Sequence, residues 1–210
     1  MQNTTPLVSA GLVAALATAV LATSCVATAP VAKPPASRIP LAATVPIDLP
    51  RYMGHWWVIA HTPYFAEKGK VAGADIYTLR PDGRIDNVYS YRKRFGGKEK
   101  QMHAVATVVP GTGNAQWTIA FFGGLLRADY LVLEVAPDYS WALIGQPSRK
   151  LAWVFAREPR MGDAELARLL ERFRAFGYDP ASLQRVPQFV DQQLSGKSTS
   201  AQSRVARVRP

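Results

Sequence analysis

The sequence predicts an all-β fold, an eight-stranded antiparallel up-and-down barrel with a C-terminal amphipathic helix packed outside it. Three observations carry that expectation. Apolar residues between 55 and 157 recur with a period of two. Turn residues break the pattern at close intervals, so most links between strands are short. One run of helical period follows the last strand. Closing such a string of strands into a barrel removes both exposed edges.

The first strand is the apolar run Trp56 to Ala60, and Asp75 to Leu79 follows after the longest link, 61–74. The turn Pro81-Asp82-Gly83 leads to a strand in which Ile85, Asn87, Tyr89 and Tyr91 alternate with charged residues. Phe95-Gly96-Gly97-Lys98 turns the chain into Met102, Ala104, Ala106 and Val108. Pro110 to Asn114 is a hairpin-type link into Trp117, Ile119 and Phe121. The last three strands are Tyr130 to Val135, Tyr139 to Ile144 and Leu151 to Arg157. Leu166, Leu169, Leu170, Phe173 and Phe176 then form a helical stripe, with Asp163 and Glu165 in its first turn and Gly177 just beyond it. That stripe needs a partner, and the outside of the barrel is the large surface on offer. A short extended piece, Leu183 to Val186, ends at Pro187.

An eight-stranded barrel is wide enough to be filled by side chains or to hold one small ligand. Tyr89, Tyr91, Trp117, Trp153 and Phe155 are large, whereas Ala104 and Ala106 leave room, with Ile119 as a further apolar wall. Such a lining suits a long apolar chain, and the tyrosine hydroxyls suit a polar head. The same aromatics also suit a solid core. Alternation alone does not say which face is inside, because the helix makes part of the outer face apolar too.

The chain has 210 residues and a formal charge of +10, from 25 Lys+Arg against 15 Asp+Glu. The excess sits at the ends. Lys33, Arg38, Lys197, Arg204, Arg207 and Arg209 lie outside 48–191, which keeps 19 basic against 15 acidic residues. A body at +4 argues against a nucleic-acid partner. Residues 7–22 form an uncharged apolar run, short for a membrane span but long enough for a secretory signal. Directly after Ala22-Thr23-Ser24 comes Cys25, the chain's single cysteine. This arrangement resembles the lipobox of bacterial lipoproteins, which implies a signal over 1–24 and acylation of Cys25. An ordinary signal cut after Ala27-Thr28-Ala29 is the alternative. Residues 25–47 then read as the lipidated cysteine and a Pro/Ala-rich tether, 48–190 as the folded domain, and 191–210 as a basic disordered tail.

Three ordered segments carry a family resemblance. Gly54-His55-Trp56 resembles the Gly-X-Trp motif that opens the first strand of the lipocalins. Asp129-Tyr130 with Asp138 to Gly145 resembles their second signature, and Trp153 to Pro159, with Arg157, the third. The bacterial outer-membrane lipocalins, similar to apolipoprotein D, share Phe121-Phe122-Gly123, Pro147-Ser148-Arg149 and Gly177-Tyr178-Asp179. The resemblance implies that Trp56 and Arg157, with Gly54, form a structural plug at the closed end. The inward candidates of the alternating pattern, Tyr89, Tyr91, Ala104, Trp117, Ile119, Trp153 and Phe155, are then the expected ligand-binding residues of the calyx. This sequence departs from the family at Trp57, where Tyr or Phe is common, and at Gly124-Leu125-Leu126, where Pro-Phe-Tyr is common.

Chemistry beyond binding finds little support. A single cysteine ahead of the barrel excludes both a disulfide framework and a barrel-lined thiolate. His55, His61 and His103 lack metal-ligand spacing, and Gly111-Thr112-Gly113 lacks the lysine of a phosphate loop. Glu134 and Asp138 are not marked as an acid/base pair, and Ser140 and Ser148 lack a nucleophile elbow. The expectation is a non-enzymatic binder, without cofactor or metal, that stores or transports fatty acids or lysophospholipids. It would be anchored on the outer membrane with its barrel facing the periplasm, as a monomer or homodimer. A filled structural or adhesion lipoprotein and a haem or pigment carrier are the alternatives.

Overall fold

The computed structural model describes Leu41 and residues 46–193. The signal, Cys25, most of the tether and most of the basic tail therefore lie outside the described residues. Among those described, no helix is long and apolar enough to cross a membrane.

A one-turn helix, α1 (Leu49–Tyr52), precedes eight strands: β1 (Gly54–His61), β2 (Val71–Leu79), β3 (Ile85–Arg92), β4 (Glu99–Val108), β5 (Gln116–Phe121), β6 (Leu126–Val135), β7 (Trp141–Gly145) and β8 (Ala152–Ala156). Each pairs antiparallel with the next, and β1 pairs with both β2 and β8, so the sheet closes. The up-and-down barrel is as expected. Helix α2 (Asp163–Arg172) and the two-residue strand β9 (Gln184–Arg185) complete the domain.

Several boundaries differ from the expectation, each for a local reason. β2 begins at Val71 rather than Asp75, because a register shift between Val71 and Ala74 interrupts its periodicity, with Ala72 at φ 51°. β4 and β6 begin at Glu99 and Leu126, on polar or exposed residues whose backbones nevertheless join the ladder. Tyr139 is in a turn at φ 63° instead of in β7, and its hydroxyl accepts a bond from Asp48 N at 2.9 Å.

Alternation in the strands produces two apolar layers. The inner one includes Trp56, Tyr77, Tyr89, Ala104, Trp117, Ile119, Tyr130 and Phe155. The outer one includes Ile59, Leu131, Leu133, Leu143 and Val154, covered by Leu166, Leu169 and Phe173 of α2 and the turn after it. Gly177, at φ 78°, ends that helical run in the left-handed conformation that glycine adopts without strain. Tyr178 then donates to Gln146 O at 2.9 Å and accepts from Gln146 N at 2.8 Å, tying this layer to the β7–β8 link.

β1 and β2 pair only at residues 54–57 and 74–77. Nearer the other end, β9 pairs with β1 and the segment behind it fills the seam. Val186 N donates to Ile59 O, Ala72 N to Pro187 O, and Gln188 Nε2 to Val58 O and Gly73 O.

Candidate ligand-binding site

The barrel has a closed end and a mouth. At the closed end the Arg157 guanidinium carbon lies 3.8 Å from the centre of the Trp56 ring. Its nitrogens donate to four carbonyls: His55 O at 2.8 Å, Arg51 O at 2.8 Å, Met53 O at 2.9 Å and Tyr52 O at 3.2 Å. One planar fork therefore gathers the α1–β1 turn under the barrel. Gly54 sits in this turn at φ 94°, and a Cβ there would stand 3.4 Å from Arg157.

Above the plug lies an aromatic floor. Tyr52, Trp56, Tyr77 and Trp117 are at most 2% exposed. Trp117 and Tyr130 stack at 4.8 Å, and the Tyr52 and Tyr130 hydroxyls bond at 2.7 Å. The Trp56 indole donates to Tyr52 O at 2.8 Å and the Trp117 indole to Asn114 O at 2.7 Å. Burial pushes the hydroxyls of Tyr52, Tyr77 and Tyr130 well above the usual range, so the floor is uncharged. Trp117 is thus part of the floor.

The other site residues follow the wall upward. Ala104, Ile119 and Phe155 are buried at mid-height, and Ala104 pairs across β4–β5 with Phe121. Tyr89 and Tyr91 stack at 5.2 Å, and Lys70 Nζ lies 3.3 Å from the Tyr91 ring centre. Inward-facing Tyr91, Met102, Phe121 and Trp153, at the mouth ends of their strands, keep partial exposure. All seven residues expected in the calyx thus belong to the inner layer or pack against it.

The β1–β2 link lies against the rim through a buried carboxylate. Glu67 meets His61 Nδ1 at 2.7 Å, accepts from the Trp153 indole at 3.0 Å and from the Tyr64 hydroxyl at 3.0 Å. Sequence reasoning missed Glu67, Tyr64 and Lys70, since the nine-residue link 62–70 carries no periodicity to reveal which side chains turn inward. It also missed Asp75, which accepts from Asn87 Nδ2 at 2.8 Å inside the barrel. Burial, joined by the charge of Glu67, pushes the Asp75 carboxyl up to about 7 despite the Asn87 bond.

His103 faces outward and is exposed. It borders an open groove of about 960 Å³ over the outer face of β3–β5, lined also by Val88, Val105 and Thr118. Trp57 also faces outward and packs against the layer under α2. Among the described residues no group of three or more His, Cys, Asp or Glu is placed to hold a metal.

A family profile described as "Lipocalin-like domain" matches residues 47–188. Temperature-induced lipocalin-1 of Arabidopsis thaliana is 34% identical over 152 residues, covering 68% of this chain and 80% of that protein. The outer membrane lipoprotein Blc of Vibrio cholerae is 26% identical over 142 residues, covering 67% and 82%. Among solved structures, the cockroach allergen Per a 4 superposes with a TM-score of 0.55 at 18% identity, covering 72% of this chain and 95% of that one, a likeness of fold.

Proposed function

The chain belongs to the lipocalin family, and we propose that its calyx binds fatty acids, lysophospholipids or similar amphiphiles for storage or transport at a bacterial outer membrane. The observation that carries this reading is the gradient of burial along the inner wall. Floor residues are sealed, whereas Tyr91, Met102, Phe121 and Trp153 near the mouth present accessible apolar surface. Burying an apolar chain against such surface contributes about 25 cal/mol per Å², with little demand on head-group identity.

The mouth supports a role at a lipid surface. Phe65, Phe122, Leu125 and Leu126, all on its loops or rim, are 95%, 68%, 90% and 53% exposed. The same links and strand ends carry Lys68, Lys70, five cations from Arg92 to Lys100, Arg127, Arg149 and Lys150, against only Glu67 and Glu99. This local excess of eight positive charges is larger than that of the whole body, so the charge is polarised toward the mouth. Apolar tips inside a basic field match an anionic bilayer. Acylation of Cys25 would hold the barrel there from the periplasmic side, with membrane maintenance as the role and no catalysis.

Native mass spectrometry of gently purified protein tests the reading. A co-purifying lipid of one-to-one stoichiometry supports it. Protein that carries none and takes up no added lysophospholipid overturns it in favour of a filled, structural barrel. Loss of acyl label in Cys25→Ala is the expected result for the anchor.

A further inference from the structure

Burial of an acyl chain does not call for a carboxyl group inside the barrel, yet Asp75 is there. It lies on β2 directly opposite Trp56 of β1 and Tyr89 of β3. Residues facing each other across antiparallel strands project from the same face, and both of these belong to the inner layer. Asp75 therefore points into the lumen. Two residues toward the closed end is Tyr77, part of the floor, which packs edge-on against Trp117 at 5.3 Å. Two residues toward the mouth is Gly73, and the Tyr89 hydroxyl and Val58 border the space its absent side chain leaves, 3.5 and 3.7 Å from where a Cβ would stand. Asp75 is surrounded by protein but is not sealed from solvent.

Its partners leave one oxygen available. Asn87, itself 3% exposed, donates to Oδ1, and no other donor among the described residues bonds the carboxyl. The ionisable groups that interact with it are Glu67 from the β1–β2 link and Tyr52, Tyr64, Tyr77 and Tyr89. No Lys or Arg among the described residues offsets its charge. An acceptor with one partner in a mostly apolar surrounding gains from a ligand group that bonds it. A chain ending in a methyl group does not do this. A hydroxyl or an amine does.

We propose that Asp75, braced by Asn87, anchors the deep end of the ligand, so that the calyx selects amphiphiles with a hydroxyl or amine at the end remote from the head group at the mouth. This rests on the lipid-binding reading above and narrows it. The calyx then favours doubly polar chains over plain acyl chains.

The test titrates the purified protein with an ω-hydroxy fatty acid and with the unsubstituted acid of the same length, followed by tryptophan fluorescence. Wild type is expected to prefer the ω-hydroxy acid by about tenfold, the worth of one hydrogen bond to a buried carboxyl. Asp75→Leu is expected to reverse that order. Asp75→Asn, close to isosteric and safer for folding, is expected to keep the hydroxyl preference. It is also expected to lose the rise in ω-amino acid affinity that wild type shows as pH increases through about 7. Equal binding of the two acids by wild type overturns this inference and leaves the lipid reading standing. So does an unchanged ratio in Asp75→Leu, or the same pH response in Asp75→Asn. Binding of neither acid overturns both.

Discussion

Removing Arg157 is expected to loosen the closed end without altering the ligand's surroundings. Its guanidinium contributes a cation–π contact with Trp56 of about 0.5–2 kcal/mol. Of its four carbonyl partners, Arg51 O is exposed and turns to water when the side chain is lost, and Tyr52 O keeps its bond from the Trp56 indole. The loss thus concentrates on His55 O and Met53 O, at part-buried positions. With partial rehydration, the π contact and these two bonds together make Arg157→Ala worth about 3 kcal/mol. For a domain of this size that lowers Tm by roughly 10 °C. Arg157→Lys keeps the charge but loses the fork, and is expected to recover about half. Urea unfolding of the three proteins measures this, alongside their lysophospholipid affinities. Because Arg157 lies beneath the floor, those affinities are expected to agree within about threefold. A stability loss below about 1 kcal/mol, or affinity falling in step with stability, would refute the assignment of Arg157 as a plug.

Other perturbations address the mouth and the lumen. Glu67→Ala leaves His61, Tyr64 and the Trp153 indole without their shared acceptor, so a loss of about 1–3 kcal/mol is expected, with faster amide exchange across 62–70 by mass spectrometry. Asp75 holds its proton up to about 7, against 3.8 for a solvated aspartate. Between those values the folded protein binds more protons than the unfolded chain, so stability falls as pH rises through that window. Asp75→Asn is expected to flatten this dependence in denaturation curves taken from pH 4 to 8, gaining at most about 4 kcal/mol at the upper end. Phe65→Ser combined with Leu125→Ser is expected to leave Tm within about 1 °C, since both side chains are exposed. The pair should weaken sedimentation with anionic vesicles, and salt should weaken what remains.

The fold was largely legible because each strand carries its own signal. Ile85-Asn87-Tyr89-Tyr91 and Met102-Ala104-Ala106 alternate cleanly, and the helical stripe ending at Gly177 announces both its length and its stop. What stayed hidden is non-local. Leu131, Leu133 and Val154 are as apolar as the inner wall because α2 covers them, so period two could not say which face is inside. Tyr52 lies in a single helical turn too short to have a period, yet it is fully buried in the floor. Asp75 reads as an ordinary polar strand residue until its register against Trp56 and Tyr89 turns it inward. The seven calyx residues were named from pattern and family resemblance. Their order from floor to mouth, with Trp117 at the bottom and Tyr91 and Trp153 at the rim, follows only from the closed barrel.

The most direct test of the central claim titrates lysophospholipid, below its micellar concentration, into wild type and Trp153→Phe while tryptophan emission is recorded. Trp153 is the partly exposed inward indole at the mouth, whereas Trp56 and Trp117 are sealed in the floor. The expected result is a saturable one-to-one change in wild type that is largely lost in Trp153→Phe, with binding itself retained by calorimetry. A signal that never saturates, or one that survives the loss of Trp153 unchanged, would contradict a ligand seated in the calyx.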